Sequence, residues 1–223
     1  MNDWVCEKFD WDDSIAYNRG KVLNYEDLEK LESYGRYLDS DNDGICYRTY
    51  PGTHPEKGAY FTRGTSHDEY ARYTEDGNVN AETLMRLMRK FRTASELVPE
   101  PLIEINGEDS CGIIFYGSSK PAVLEAKDIL KTKNINVDLM QIRSFPFNLD
   151  VWEFIANHDR IYVVEQNRDS QMRTLIMAEG GISAEVLRPL VHFTGDPIEA
   201  AYIVNKVSER EVNYKSHKNI KER

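Results

Sequence analysis

The feature that most constrains the fold is a regular alternation of apolar runs and helix-like segments after about residue 110. Three runs have the length and the β-branched content of buried strands: CGIIFYG (111–117), NVDLMQI (136–142) and RIYVVEQ (160–166). Strands that alternate with helices over short links form a mostly parallel sheet with helices on both faces. The sequence therefore predicts an α/β domain.

The turns next to these strands predict where the helices lie. Ser119 and Asn148 are expected N-caps, and Pro121 suits a first helical turn, where its missing N–H costs little. A fourth strand is expected at 184–191. The expected helices are 120–134, 149–158, 170–180 and 197–209.

The N-terminal half lacks this alternation. Helices are expected at 24–34 and 80–97, with Asn24 and Asn80 as N-caps. The second helix carries an apolar stripe at helical spacing: Leu84, Leu87, Met88 and Phe91. The basic residues on its other faces are most simply a solvated surface, or alternatively contact an anion: Arg86, Arg89, Lys90 and Arg92. Because a long structureless loop is unusual inside a compact domain, residues 36–79 are expected to become ordered only against a partner surface.

Charge and cysteine content exclude several classes of protein. The 28 basic and 38 acidic residues give a formal charge of −10, which argues against binding to nucleic acid or to an anionic membrane. No apolar run approaches the roughly 18–20 residues of a spanning helix. The three scattered cysteines suit reduced thiols in the cytoplasm. They are too few for a cluster that needs four thiolates, so any iron–sulfur cluster must sit on a partner.

Two strand ends are candidate ligand sites, because ligands bind at the carboxyl ends of parallel strands where strand order switches. One is the segment 116–119. It has a single glycine and so lacks the G-x-G-x-x-G pattern of dinucleotide-binding sites, and its simplest interpretation is a strand–helix turn. The other is Glu165, Gln166 and Asn167. Glu165 ends an apolar run and therefore needs buried hydrogen-bond partners. It is expected to belong to a polar network inside the domain, or alternatively to an interface or substrate region.

Two further patterns lie in the irregular segment. Asp39 opens a D-x-D-x-D-G sequence typical of calcium loops, but Tyr50 stands at the twelfth position, where the loop needs a bidentate acid. We expect an Asx-rich turn and no tight calcium site. The segment Thr65–Glu69 places a histidine beside two acids, which suggests an acid/base group or an ordinary surface cluster: Thr65, His67, Asp68 and Glu69.

Several segments, taken in order, resemble one enzyme family. The sequence of 51–76 resembles the segment that joins the pyrimidine-binding domain to the next domain in alpha subunits of 2-oxoacid:ferredoxin oxidoreductases: PGTHPEKGAYFTRGTSHDEYARYTED. The sequence of 1–13 resembles the one that precedes this segment in the family, and that of 35–54 resembles the family as well: MNDWVCEKFDWDD and GRYLDSDNDGICYRTYPGTH. IIFYGSSKPAVLEAKDIL (113–130) and RIYVVEQNRDSQMRTLI (160–176) resemble the transketolase-C-terminal-like domain that follows. The resemblance covers about residues 1–208 and looks closest to the 2-oxoglutarate type.

The resemblance implies an activity for a complex. Such enzymes convert a 2-oxoacid and coenzyme A to the acyl-CoA and carbon dioxide, and pass electrons to ferredoxin. Thiamine diphosphate with magnesium performs the decarboxylation and iron–sulfur clusters carry the electrons, mainly on the beta subunit. No position here matches the acid that activates the cofactor. The chain is therefore expected to be structural, with no catalytic, cofactor-binding or metal-binding residue of its own.

The resemblance also implies a domain order and partners. Residues 1–50 would be the tail of an upstream pyrimidine-binding domain, 51–107 a linker arm and helix, 108–210 the transketolase-C-terminal-like domain and 211–223 a polar tail. Met1 is expected to be an internal methionine of a longer chain or the start of a truncated one. The expected partners are the beta subunit and the upstream alpha domains. The rival hypotheses are a pyruvate or branched-chain type, a stand-alone α/β binding or regulatory module, and a calcium-dependent interaction protein.

Overall fold

The computed structural model divides the chain into two compact units, Asp10–Leu97 and Val98–Arg223. It describes residues 8, 10–61, 66–107 and 111–221, with side chains left out at 213 and 215–221. The second unit begins ten residues before the boundary expected at 108. The reason is a short strand, β1 (Leu102–Glu104), which pairs with the sheet and which the sequence pattern did not predict.

The second unit is built on a five-stranded sheet. After β1 come four strands: β2 (Cys111–Tyr116), β3 (Val137–Ile142), β4 (Ile161–Glu165) and β5 (Leu187–Val191). Their order across the sheet is β1-β3-β2-β4-β5. All pairings are parallel except that of β1 with β3, which is antiparallel. The predicted α/β fold with a mostly parallel sheet is confirmed.

Helices cover both faces of this sheet, as expected for buried parallel strands. They are α3 (Lys120–Thr132), α4 (Leu149–Ala156), α5 (Gln171–Gly180) and α6 (Ala200–Lys221). Because successive strand residues point to opposite faces, Ile113 joins the core under α3 and α6 while Ile114 joins the core under α4 and α5. Two apolar cores result, one on each side of the sheet.

The residues predicted as N-caps in this unit lie directly before the helices, but their side chains do not cap them. Asn148 precedes α4 and Ser119 precedes α3, yet neither side chain makes a capping hydrogen bond. Ser119 has helical backbone angles, because a single 3₁₀ turn at Gly117–Ser119 already begins the helical path. Pro121 lies in the first turn of α3 as predicted.

The closing helix is longer than predicted. The backbone of α6 continues to Lys221, so residues expected to form a frayed polar tail extend the helix instead. Buried Glu211 anchors this extension, since it accepts hydrogen bonds from Arg160 and from the Tyr162 hydroxyl. In the described part of the chain, no helix is both long and apolar enough to cross a membrane.

The described residues of the first unit, 10–61 and 66–97, form two helices and much irregular chain. α1 (Tyr25–Glu29) has Asn24 as its N-cap, as predicted, and Asn24 forms a capping box with Asp27. The helix ends earlier than expected. α2 (Gly77–Leu97) begins three residues before the predicted start, and the Asp76 carboxylate accepts a hydrogen bond from the backbone of Asn78 there. Asn80 therefore lies inside the helix and is not its N-cap.

In its described residues, 36–61 and 66–79, the irregular segment is held by contacts inside its own unit, unlike the expected drape over a partner. Buried His54 donates from Nε2 to Glu29 at 2.5 Å, while its Nδ1 accepts from the backbone of Lys57 at 2.8 Å. Buried Thr49 donates to the Gly58 carbonyl at 2.6 Å. Hydrogen bonds from side chains to the backbone can hold a segment that has no periodic spacing of apolar residues. Because the sequence pattern was read from that spacing, it did not indicate that the segment is ordered.

Candidate functional site

The strand order places a topological switch between β2 and β4. From β2 the chain crosses to β3 on one side, and then returns past β2 to β4 on the other. The helices that follow β2 and β4 leave toward opposite faces of the sheet. In open α/β sheets this divergence leaves a crevice at the carboxyl ends of the two strands.

The two strand ends singled out in the sequence meet at this switch. The side-chain amide of Gln166 donates to the hydroxyl oxygens of Ser118 at 3.1 Å and Ser119 at 3.2 Å. The amide of Asn167 donates to the Tyr116 hydroxyl at 3.4 Å. Residues about 50 positions apart in sequence thus form one polar cluster, which we call the switch cluster.

Glu165 is the fully buried member of the switch cluster. Its carboxylate accepts from the backbone N–H groups of Met172 at 2.7 Å and Arg173 at 3.0 Å, and from the Asn167 amide at 2.8 Å. Ser170, the residue before α5, has left-handed backbone angles and makes no side-chain cap. Glu165 thus supplies the negative oxygen that the helix N-terminus favours. This is the polar network inside the domain that the sequence favoured.

The cluster is suited to hydrogen-bond recognition. Its accessible members are neutral amides and hydroxyls around one buried carboxylate. Burial, and then the neighbouring Glu165, raise the pKa of the Tyr116 hydroxyl. A role as a ligand site for Gln166 and Asn167 stays a prediction.

The second set of candidates lies in the first unit, and Thr65 falls outside the described residues. The His67 ring stacks on Tyr37 with centroids 3.9 Å apart, and its Nδ1 lies 3.1 Å from the Asp68 carbonyl. The Asp68 carboxylate accepts from the backbone of Tyr70 at 2.9 Å and Arg72 at 2.8 Å. Asp68 therefore closes a turn, while His67 packs on an aromatic ring.

Glu69 lines a cleft of about 410 Å³ within the first unit, together with residues that the sequence did not select as site candidates: Tyr37, Asp39, Glu82, Arg86 and Arg89. Two guanidinium groups and three carboxylates make this a charged cleft. The sequence signal for this cleft was a pair of basic residues three positions apart on one helix. The same spacing is also typical of a solvated helix face. The hydrogen bond of Arg89 to Asp39 distinguishes a face that lines a cleft from a solvated face.

The calcium-like loop has its acids paired with cations. Asp39 accepts from Arg89 at 2.9 Å, while Lys21 donates to Asp41 at 2.6 Å and to Asp43 at 2.7 Å. Hydrogen bonds from Lys21 lower the pKa values of Asp41 and Asp43. Among the residues with described placement, no group of three His, Cys, Asp or Glu side chains could hold a metal ion.

Comparisons with known proteins agree on one group of relatives. The chain is 28% identical over 204 residues to the alpha subunit of 2-oxoacid:ferredoxin oxidoreductase 2 of Aeropyrum pernix, which covers 87% of this chain and 30% of that protein. It is 26% identical over 191 residues to the 2-oxoacid:ferredoxin oxidoreductase subunit alpha of Saccharolobus solfataricus, covering 83% of this chain and 29% of that protein. No protein-family model matches the chain.

A solved structure has a similar fold. The chain superposes on 2-oxoglutarate:ferredoxin oxidoreductase from Magnetococcus marinus, solved with 2-oxoglutarate, coenzyme A and succinyl-CoA bound, with a TM-score of 0.70. The match has 24% identity and covers 81% of this chain and 31% of that chain. The chain thus spans about a third of the length of the curated relatives it matches. In sequence it is similar to part of 2-oxoacid:ferredoxin oxidoreductase alpha subunits.

Proposed function

We propose that this chain is the C-terminal part of the alpha subunit of a thiamine-dependent 2-oxoacid:ferredoxin oxidoreductase. The observation that carries the proposal is the similarity to two curated alpha subunits over 87% and 83% of the chain's own length. The separate motifs at 1–13, 35–76, 113–130 and 160–176 support it, because they occur in the order in which the family has them. The second unit would be the transketolase-C-terminal-like domain.

The proposed role of the chain is structural. Magnesium and a diphosphate require clustered oxygen ligands, and the described residues contain no group of three that could hold a metal. A cysteine-ligated cluster needs four thiolates, whereas the chain has three cysteines. These residues do not fit the cofactors, so the proposal assigns thiamine diphosphate, magnesium and iron–sulfur clusters to the rest of a cytoplasmic complex. Its partners would be the beta subunit and the upstream alpha domains, with coenzyme A and ferredoxin acting on the complex.

The proposed substrate is 2-oxoglutarate. The segments quoted above look closest to that type, and the fold match to a 2-oxoglutarate enzyme agrees with the proposal. Pyruvate and branched-chain 2-oxoacids are the alternatives within the family. Measuring which 2-oxoacid a reconstituted complex consumes distinguishes these alternatives from 2-oxoglutarate.

A stand-alone α/β binding module is the second candidate. It is favoured by the second unit itself, whose sheet is covered on both faces by its own helices. In that case the switch cluster would be the binding site. Binding of a small polar ligand by the isolated chain, lost on Gln166→Ala, would support this candidate.

Reconstitution tests the main proposal. The purified chain alone is expected to show no 2-oxoacid-dependent reduction of ferredoxin or viologen dye, whereas the chain assembled with the beta subunit and the upstream alpha domains is expected to show it. Each 2-oxoacid is assayed separately with coenzyme A. Turnover by the isolated chain, or failure of the wild-type chain to assemble with these partners, would contradict the proposal.

A further inference from the structure

Two titratable side chains that the candidate sites do not use meet in the interior of the second unit. Asp138 is the second residue of β3, and His158 follows the end of α4. Their side chains are 6% and 4% exposed, and the His158 Nε2 atom lies 3.0 Å from the Asp138 Oδ2 atom. Because buried polar groups need hydrogen-bond partners, the placement of the protons in this pair decides whether the contact is favourable.

Both ring nitrogens of His158 lie next to oxygen atoms. Nδ1 is 2.7 Å from the Phe154 carbonyl oxygen, which can only accept a hydrogen bond, so Nδ1 carries a proton. If Nε2 carried none, its lone pair would point at a carboxylate oxygen of Asp138. Two acceptors would then meet without a proton between them. The contact therefore requires one more proton, which lies between Nε2 and Oδ2.

The charged residues that line the cleft beside His158 are acids. This cleft, of about 160 Å³, takes Asp150 and Glu153 from α4, and only apolar side chains from the β1 side. Asp138 adds a third carboxylate from β3. None of the described residues that line the cleft is a lysine or an arginine. Because unlike charges attract, these surroundings favour a positively charged ring.

The other oxygen of Asp138 holds the chain that follows β1. Oδ1 accepts from the backbone nitrogen of Asn106 at 2.7 Å, and the Asn106 side chain donates to the Val137 carbonyl at 2.9 Å. β1 has three residues and lies at the edge of the sheet. Such a short strand has few backbone hydrogen bonds to its neighbour, so contacts at its end contribute to keeping it in place.

We propose that Asn106, Asp138 and His158 form a proton-dependent latch on β1. With the shared proton in place, His158 holds the Asp138 carboxylate where it receives the Asn106 amide. Loss of that proton leaves Nε2 and Oδ2 as two facing acceptors, and Asp138 then lacks a partner on that oxygen. The latched state binds one proton more than the open state, so rising pH favours opening. The latch goes beyond the proposed function and does not depend on it.

An NMR titration of the full chain tests the latch. The ring nitrogens of His158 and the backbone amide of Asn106 are followed from about pH 5 to about pH 9, which covers the usual range of histidine titration. Nε2 is expected to be protonated at the acidic end and to lose its proton as pH rises. The Asn106 amide is expected to change its chemical shift with the same midpoint. The ratio of latched to open chains should fall by at most about 10-fold per pH unit, the limit for one proton.

Two variants identify the group that drives the change. His158→Gln is expected to abolish the pH response of the Asn106 amide, because glutamine does not titrate. His192→Gln removes a histidine beyond the carboxyl end of β5, and is expected to leave the response unchanged. Circular dichroism establishes that each variant folds. The wild-type titration needs no variant, so it decides the question even if His158→Gln is unstable.

Three results would overturn the latch. The first is an Asn106 amide whose shift stays constant over the whole titration, whatever the state of the ring. The second is a His158 ring that holds a single proton throughout, because the shared proton would then be absent. The third is a pH response of Asn106 that persists in folded His158→Gln, because another group would then cause it.

Discussion

The Oε2 atom of Glu165 lies 2.7 Å from the backbone nitrogen of Met172, so a strand carboxylate caps the helix that follows it. The contact spans the loop between β4 and α5, and the Glu165 side chain is fully buried. It explains how a charged residue can end an apolar strand, because the backbone N–H groups of a helix N-terminus satisfy it. The same contact orients the loop that carries Gln166 and Asn167.

Replacing Glu165 with Gln is expected to lower the free energy of unfolding by about 1–3 kcal/mol. The amide has one acceptor oxygen where the carboxylate has two, so its NH₂ group would face a backbone donor. Urea unfolding of the full chain measures the loss. Exposed Glu179→Gln is the matched control. Equal stability of the two variants would show that the cap contributes little.

Glu211→Ala is expected to cost about 3–5 kcal/mol, because it leaves a largely buried Arg160 without its partner. The guanidinium and carboxylate are 3.1 Å apart and their side chains are 11% and 3% exposed. Tyr162 also donates to Glu211 at 2.8 Å. Thermal unfolding compares the variant with exposed Glu209→Ala. An unchanged midpoint for Glu211→Ala would mean that α6 is held by its apolar residues alone.

Cys111 is expected to resist alkylation in the folded chain at pH 8 and to react on unfolding. Burial raises the pKa of its thiol from 9.0 to about 12, so little thiolate forms. The folded state then holds this proton more tightly than the unfolded state, and stability falls as pH rises from about 9 to 12. Mass spectrometry of iodoacetamide-labelled peptides measures the protection. Native labelling of Cys111 as fast as in urea would contradict it.

Calcium is expected not to bind the Asp39–Gly44 loop with micromolar affinity. Tyr50 replaces the acid that would complete the site, and Lys21 already pairs with Asp41 and Asp43. Calorimetry with calcium chloride measures the affinity in low salt. Micromolar binding that disappears in Asp41→Ala would overturn the prediction and favour the calcium-dependent interaction protein.

The irregular segment is expected to show selective amide protection in the isolated monomer. The amides of Tyr37, Gly44 and Arg48 donate within the unit at 2.9 Å each, so they should exchange more slowly than the amide of exposed Gly52. Hydrogen exchange at peptide resolution measures this difference. Uniformly fast exchange over 36–61 and 66–79 would instead restore the sequence-based expectation that a partner orders the segment.

The local pattern of the sequence was enough to predict most elements of the second unit. Buried parallel strands require continuous apolar runs, and such runs locate β2, β3 and β4 closely. The exception is β1, three residues between a proline and a polar turn, which is a strand only because β3 pairs with it. In the first unit, the N-cap of α1 also depends on local sequence, and Asn24 caps the helix as predicted.

The sequence by itself determined the type of each long element and the two strand ends of the candidate site. Only the tertiary structure decided that the Gln166 amide meets Ser118, that Glu165 caps α5, and that Arg86 and Arg89 of α2 turn toward their own unit. The periodic spacing of apolar residues indicates which residues of one helix or strand share a face. It carries no information about which helix or strand packs against that face. The hydrogen bonds of Gln166 and Asn167 to residues about 50 positions earlier depend on strand order, which forms only when the whole sheet assembles.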